Sequence, residues 1–175
     1  MRGTTRYGSE LRVLNKHSAT EVANIIRSAK RLARRYYQLT NRPLGVTGEV
    51  AEYEAIRLLH LEPAQVRQPG YDAVRRSKNG RVTRLQIKSR SFEPTKPGQR
   101  LGGISLTKPW DKVLLVILNR DLEPLNMYEA SRRAIEKELR RPGSKARNKR
   151  GALAVNQFKR IAVQVWPRSA KNTSF

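Results

Sequence analysis

Residues 84–90, RLQIKSR, decide how this chain folds. The stretch reads as a strand, and side chains alternate across a strand. Leu85 and Ile87 therefore point one way, and Gln86 and Lys88 point together the other way. Upstream, Gly70-Tyr-Asp-Ala-Val-Arg-Arg-Ser77 leads into Lys78-Asn79-Gly80, a hairpin signal, and residues 81–90 return. Loop length fixes which residues share a face. A two-residue Asn79-Gly80 loop sets Asp72 opposite Ile87. A three-residue loop, with Gly80 in a left-handed bulge, sets Asp72 opposite Gln86. Glycine at the third position favours the longer loop, so Asp72, Gln86 and Lys88 are expected on one face.

The preceding segment reads as a helix from about Gly48 to His60, capped by Thr47 and ended by Pro63. Ala51, Ala55, Leu58 and Leu59 fall on one face, and Glu52 lies within that apolar sector. Glu49 and Glu54 fall at its edge or outside, and Glu49 is the alternative helix acid. A carboxylate on a buried face needs a partner. An arginine would satisfy it, as would a half-exposed position. If the helix packs on the face of Gln86 and Lys88, Glu52, Asp72, Gln86 and Lys88 converge. Two carboxylates and an amide oxygen suit Mg²⁺ or Mn²⁺, hard cations that keep several waters. Such a cation stabilises phosphate charge and acidifies a bound water, and Lys88 would hold or help activate that water. The expected catalytic set is Glu52, Asp72, Gln86 and Lys88, with the first three on the metal.

GEVAEYEAIRLL, PGYDAV and LQIKSR together resemble the core of the PD-(D/E)XK, or restriction-endonuclease-like, nuclease superfamily. AEYEAIRLL is similar to the first helix of archaeal Holliday-junction resolvases. The resemblance places Glu52 at the helix acid, Asp72 at the strand aspartate, and Gln86 and Lys88 at the (D/E)XK pair. Gly-Tyr precedes Asp72 where the motif's name has proline, and Gln86 stands in place of the acid. RPLGVTGE, WDKVLLVIL, PGSKARNKRGALAV and FKRIAVQVW are also similar to a bacterial group of such proteins with a QXK variant. The core likeness covers roughly residues 45–130. It implies a central mixed β-sheet flanked by helices and Mg²⁺-dependent phosphodiester hydrolysis.

Outside that core, residues 1–17 read as a loose basic arm. A capping box at Ser18-Ala-Thr-Glu21 opens a helix to about Leu39. VLLVIL, within Asp111 to Asn119, reads as a strand buried on both faces. Gly98 to Leu106 reads as loop and then a short strand, and Leu125 to Glu129 as another. Ser131 to Arg140 reads as a helix, 141–151 as a basic loop, and Val155 to Trp166 as a last amphipathic helix. The expected whole is one α/β domain over 1–175. It comprises a basic arm and helix at 1–44, the nuclease-like core at 45–130, and C-terminal helices with the basic loop at 131–175.

The chain carries 37 Lys and Arg against 14 Asp and Glu, a formal charge of +23. Such an excess repels itself unless a polyanion neutralises it, which points to nucleic acid, DNA foremost, with an anionic membrane surface as the alternative. No apolar run approaches the roughly 20 residues of a membrane span. The N-terminal residues show no secretory pattern, and the chain has no cysteine for disulfides or thiolate metal sites. A cytoplasmic location is expected. Lys145, Arg147, Lys149 and Arg150 are candidate backbone contacts, set against a merely solvated loop. Arg31, Arg34 and Arg35 line a helix face poor in acids, and Arg90 and Arg100 lie near the candidate site in sequence. The alternatives to an endonuclease are an inactive nucleic-acid-binding module and a basic component of a nucleoprotein assembly. Cutting both strands with one site per chain favours a homodimer, for which the sequence shows no interface.

Overall fold

The computed structural model describes residues 6–65, 67–91 and 98–167. The chain divides into two compact units, Met1–Val46 and Thr47–Phe175. The first is dominated by α1, Arg6–Thr40, a single helix of 35 residues. It runs straight through Ser18, so the capping-box pattern there does not start a helix. Arg6 to His17, expected as an arm, continues the helical backbone, and residues 1–5 lie outside the described residues. A cap forms only where the chain enters at non-helical angles, and here the upstream residues are themselves helical.

The second unit is α/β. Its helix α2 spans Thr47–Leu59 and ends with His60 at φ 52°. Then come β1 (Glu62–Pro63), β2 (Ala73–Arg76), β3 (Val82–Ser91), β4 (Lys112–Leu118) and β5 (Pro124–Ser131). After these follow α3 (Arg132–Arg140), α4 (Lys145–Arg150), α5 (Val155–Ile161) and β6 (Val163–Trp166). The six strands form one sheet in sequence order; β3 and β4 are parallel and every other neighbouring pair is antiparallel. The short strand expected before Leu106 is absent; Arg100 makes only an isolated bridge to Ala154. The expected basic loop contains α4, capped by Ser144 and closed by Gly151 at φ 63°. The expected last helix is instead α5 followed by an edge strand.

Alternation along β4 sorts the sheet's two faces. Val113, Leu115 and Ile117 pack with Trp110, Ile135, Leu139 and Phe158 beneath α3 and α5. Leu114, Val116 and Leu118 are buried on the opposite face, where α2 lies against β3, β4 and β5 through Val50, Ala51 and Ala55. That face also buries Glu129, which accepts from Arg75 at 2.7 Å and Lys112 at 2.6 Å. Paired in this way, its charge is tolerated away from water.

Candidate functional site

The β2–β3 hairpin closes on a three-residue loop. Ser77 N donates to Arg81 O at 3.0 Å, Gly80 N donates to Ser77 O at 2.9 Å, and Gly80 sits at φ 80°. The ladder then runs from Arg76 opposite Val82 to Ala73 opposite Leu85. One step further, that register sets Asp72 opposite Gln86, as the glycine position anticipates. Asp72 lies just outside β2. Its backbone N–H donates to Leu85 O at 2.9 Å, and its Oδ2 accepts the Ile87 N–H at 2.6 Å. A carboxylate thus takes the place of a strand, and from Gln86 onward β3 has only β4 as a ladder partner. The sheet opens there.

Residues paired across a sheet share a face, so Gln86 and Lys88 lie with Val113 and Leu115. Leu85 and Ile87 face α2. The helix therefore packs on the face opposite to the one that the sequence reading required. The Glu52 carboxyl nevertheless lies within electrostatic range of both Asp72 and Lys88. The break at Ala73 explains this: groups from both faces can meet where β2 stops. The helix wheel errs in one further respect. The fully buried acid of α2 is Glu54, ion-paired with Arg57 at 2.7 Å, while Glu52 is half-buried and Glu49 exposed.

The electrostatics are those of a site short of a counter-charge. Burial pushes the Glu52 carboxyl above the usual glutamate range, and neighbouring Asp72 and Glu49 push it further; Lys88 acts the other way. Burial pushes the Lys88 ammonium down, against the pull of Asp72 and Glu52 and with the help of Arg90 and Lys108. Among the described residues, Lys88 has no hydrogen-bond or ion-pair partner. Gln86 is 9% exposed, and its buried Oε1 has no hydrogen-bond partner among the described residues. An orphaned buried acceptor costs about 1–3 kcal/mol, so its presence asks for an explanation. Among the described residues, no three His, Cys, Asp or Glu side chains are grouped to hold a metal. The Glu52 and Asp72 carboxylates and the orphaned Gln86 oxygen are the groups that would hold a hard cation keeping most of its water.

Lys108 went unnoticed in the sequence. It joins the site because Gly70, at φ 97°, lets the 108–109 segment press against the chain just before Asp72: a Cβ on Gly70 would lie 2.9 Å from Lys108 Cβ. Arg132 fixes the same loop. Its guanidinium donates to the carbonyls of Leu106, Lys108 and Trp110 and lies 4.5 Å over the Trp110 ring. No local pattern around Lys108 announces a contact with a strand 20 residues earlier.

The basic candidates separate into groups. Arg147 is 7% exposed and donates to the carbonyls of Arg141 and Pro142, so it braces the turn before α4 rather than presenting a surface charge. Lys145, Lys149 and Arg150 are exposed. Lys149, Arg150 and Arg140 border a cleft of about 700 Å³ between residues 103–106 and α4. Arg90 donates to Ser89 O and Arg100 O, and Arg100 to Ala152 O; among the described residues neither pairs with a glutamate. Arg31, Arg34 and Arg35 are exposed on α1. Asp111 is held below the usual aspartate range by its hydrogen bonds with Arg84, a structural pairing at the head of β4.

No family model matches the chain, and no curated protein matches its sequence. Among the described residues no helix is long and apolar enough to cross a membrane.

Proposed function

We propose that this protein is a metal-dependent DNA endonuclease of the restriction-endonuclease-like class. The observation that carries the reading is the opening at the end of β2. There Glu52, Asp72 and Lys88 sense one another, and Gln86 brings a buried oxygen with no partner among the described residues. Glu52, Asp72 and Gln86 would hold Mg²⁺ or Mn²⁺. Such an ion supplies charge stabilisation at a scissile phosphate and makes water a better nucleophile. Lys88 is suited to orient the attacking water and to balance phosphate charge, because its lowered pKa eases proton exchange at Nζ. Lys108 adds a second cation beside it. The net charge of +23 favours a polyanionic substrate.

Plasmid nicking in Mg²⁺ and Mn²⁺ tests the proposal. Wild type should cut in at least one metal. Asp72→Asn keeps the acceptor for the Ile87 amide but loses charge; it and Lys88→Met should each reduce the rate by at least about a hundredfold. The second reading is a nucleic-acid-binding module with the same fold. It is favoured by the absence of a third acid, since Gln86 stands where an acid would complete the set. Tight DNA binding with no cleavage in either metal would select it.

A further inference from the structure

Helix α1 carries an apolar stripe exposed to solvent. Val22 is 44% exposed, Ile25 59%, Leu32 60%, Tyr36 38% and Leu39 77%. With Ala29, these positions are spaced 3, 4, 3, 4 and 3 residues apart. That is the a/d seam of a heptad repeat, which a partner helix covers by knobs-into-holes packing. The row runs from Val22 to Leu39, about two and a half heptads of the 35-residue helix. Single exposed apolar residues are ordinary on a protein surface, but a continuous row in heptad register is not.

The charges flanking the seam indicate what covers it. With Val22 at an a position, Arg27, Arg31 and Arg34 fall at c or f and Lys30 at b, away from the seam. The flanking e positions hold Ile26, Ala33 and Thr40, all uncharged. The g positions hold Glu21, Ser28 and Arg35. A parallel second copy would set g residues beside e residues and form no ion pair. An antiparallel copy sets g beside g, so Glu21 of each helix meets Arg35 of the other about Ser28 at the centre. The layers are then Val22 with Leu32 and Ile25 with Ala29, each formed twice. In this register the seam matches itself in charge and in its four central apolar layers, with Tyr36 and Leu39 lying outside them.

We infer that α1 binds a second copy of this chain as an antiparallel coiled coil. The inference is independent of the nuclease reading. Its test uses the full chain, freed of nucleic acid and held at moderate salt to screen the net charge. Sedimentation equilibrium should give twice the chain mass. Ile25→Glu with Leu32→Glu, both at exposed positions, should give the monomer with an unchanged melting transition for the second unit. Glu21→Arg should weaken association several-fold, and adding Arg35→Glu should restore it. Because the chain has no cysteine, orientation can be read by oxidation. A mixture of Val22→Cys and Leu32→Cys chains should form a disulfide between unlike chains. A monomeric wild type, a dimer that survives the double glutamate variant, or a disulfide between like chains would overturn the inference.

Discussion

Glu52 is held where its charge is unwelcome in the absence of a cation. Burial and the nearby carboxylates raise its pKa in the folded protein. A folded state that binds a proton more tightly than the unfolded chain loses stability as pH rises. The loss begins at the unfolded glutamate pKa, is complete above the folded one, and is absent where both states are protonated. Glu52→Gln removes this liability. Without divalent cations it should raise the thermal midpoint at neutral pH by about 1–4 °C. The gain should shrink to nothing as pH falls below about 4. Calorimetry across that range checks the sign, and a stabilisation that grew at low pH would contradict it. Gln86→Glu should do the reverse. A third carboxylate in the opening should lower the metal-free midpoint, and the Mn²⁺ or Mg²⁺ concentration needed for half-maximal cleavage should also fall. An unchanged metal requirement would mean that residue 86 is not a ligand.

At the scale of elements, closeness of approach matters more than chemistry. Gly151 ends α4 in the left-handed region, and a Cβ there would lie 2.4 Å from Ile104 O. The loop 103–106 and α4 therefore meet through bare backbone, and this contact shapes one wall of the basic cleft. Gly151→Ala should cost about 1–3 kcal/mol from clash and left-handed strain together, read as a fall in the denaturant midpoint. Elements with a strong period were legible in the sequence. The uninterrupted VLLVIL run becomes a strand with 113–118 all buried, and Gly80 fixed the hairpin loop and so the meeting of Asp72 with Gln86. Elements whose ends lack punctuation were not. No glycine or proline separates Ile161 from Val163, so α5 and β6 read as one helix. Ser18 looked like a cap because local sequence does not say where a helix is entered. The side of the sheet that α2 covers depends on chain crossover, and Glu52 and Glu54 lie roughly 160° apart on the wheel, so which of them is the buried acid follows from the packed face and not from the local sequence. Register was therefore readable from one turn, while the choice of face was a tertiary outcome.

Across the whole molecule, the charge of +23 is the dominant fact, and the acids do little to neutralise it. Several are already committed to ion pairs within the second unit: Glu54 with Arg57, Glu62 with Arg76, Asp111 with Arg84, and Glu129 with both Arg75 and Lys112. The exposed cations are left facing solvent, and their mutual repulsion is relieved when counter-charge arrives. A short duplex should therefore raise the melting temperature, and the rise should fade as salt increases. Affinity itself should fall steeply with salt, with a log–log slope of about −0.9 for each phosphate neutralised. The cleft beside α4 makes a more local claim. If the DNA backbone runs past it, Lys149→Ala with Arg150→Ala should flatten the slope by about 2 and weaken binding to all sequences alike. Arg147→Ala should act differently. Its guanidinium braces the carbonyls of Arg141 and Pro142, so stability should fall while the salt slope of the remaining folded protein stays near wild type. Fluorescence anisotropy over a salt series distinguishes the two effects. A slope unchanged in the Lys149 and Arg150 variant would place the nucleic-acid path elsewhere on the surface, with the exposed arginines of α1 next to be tested.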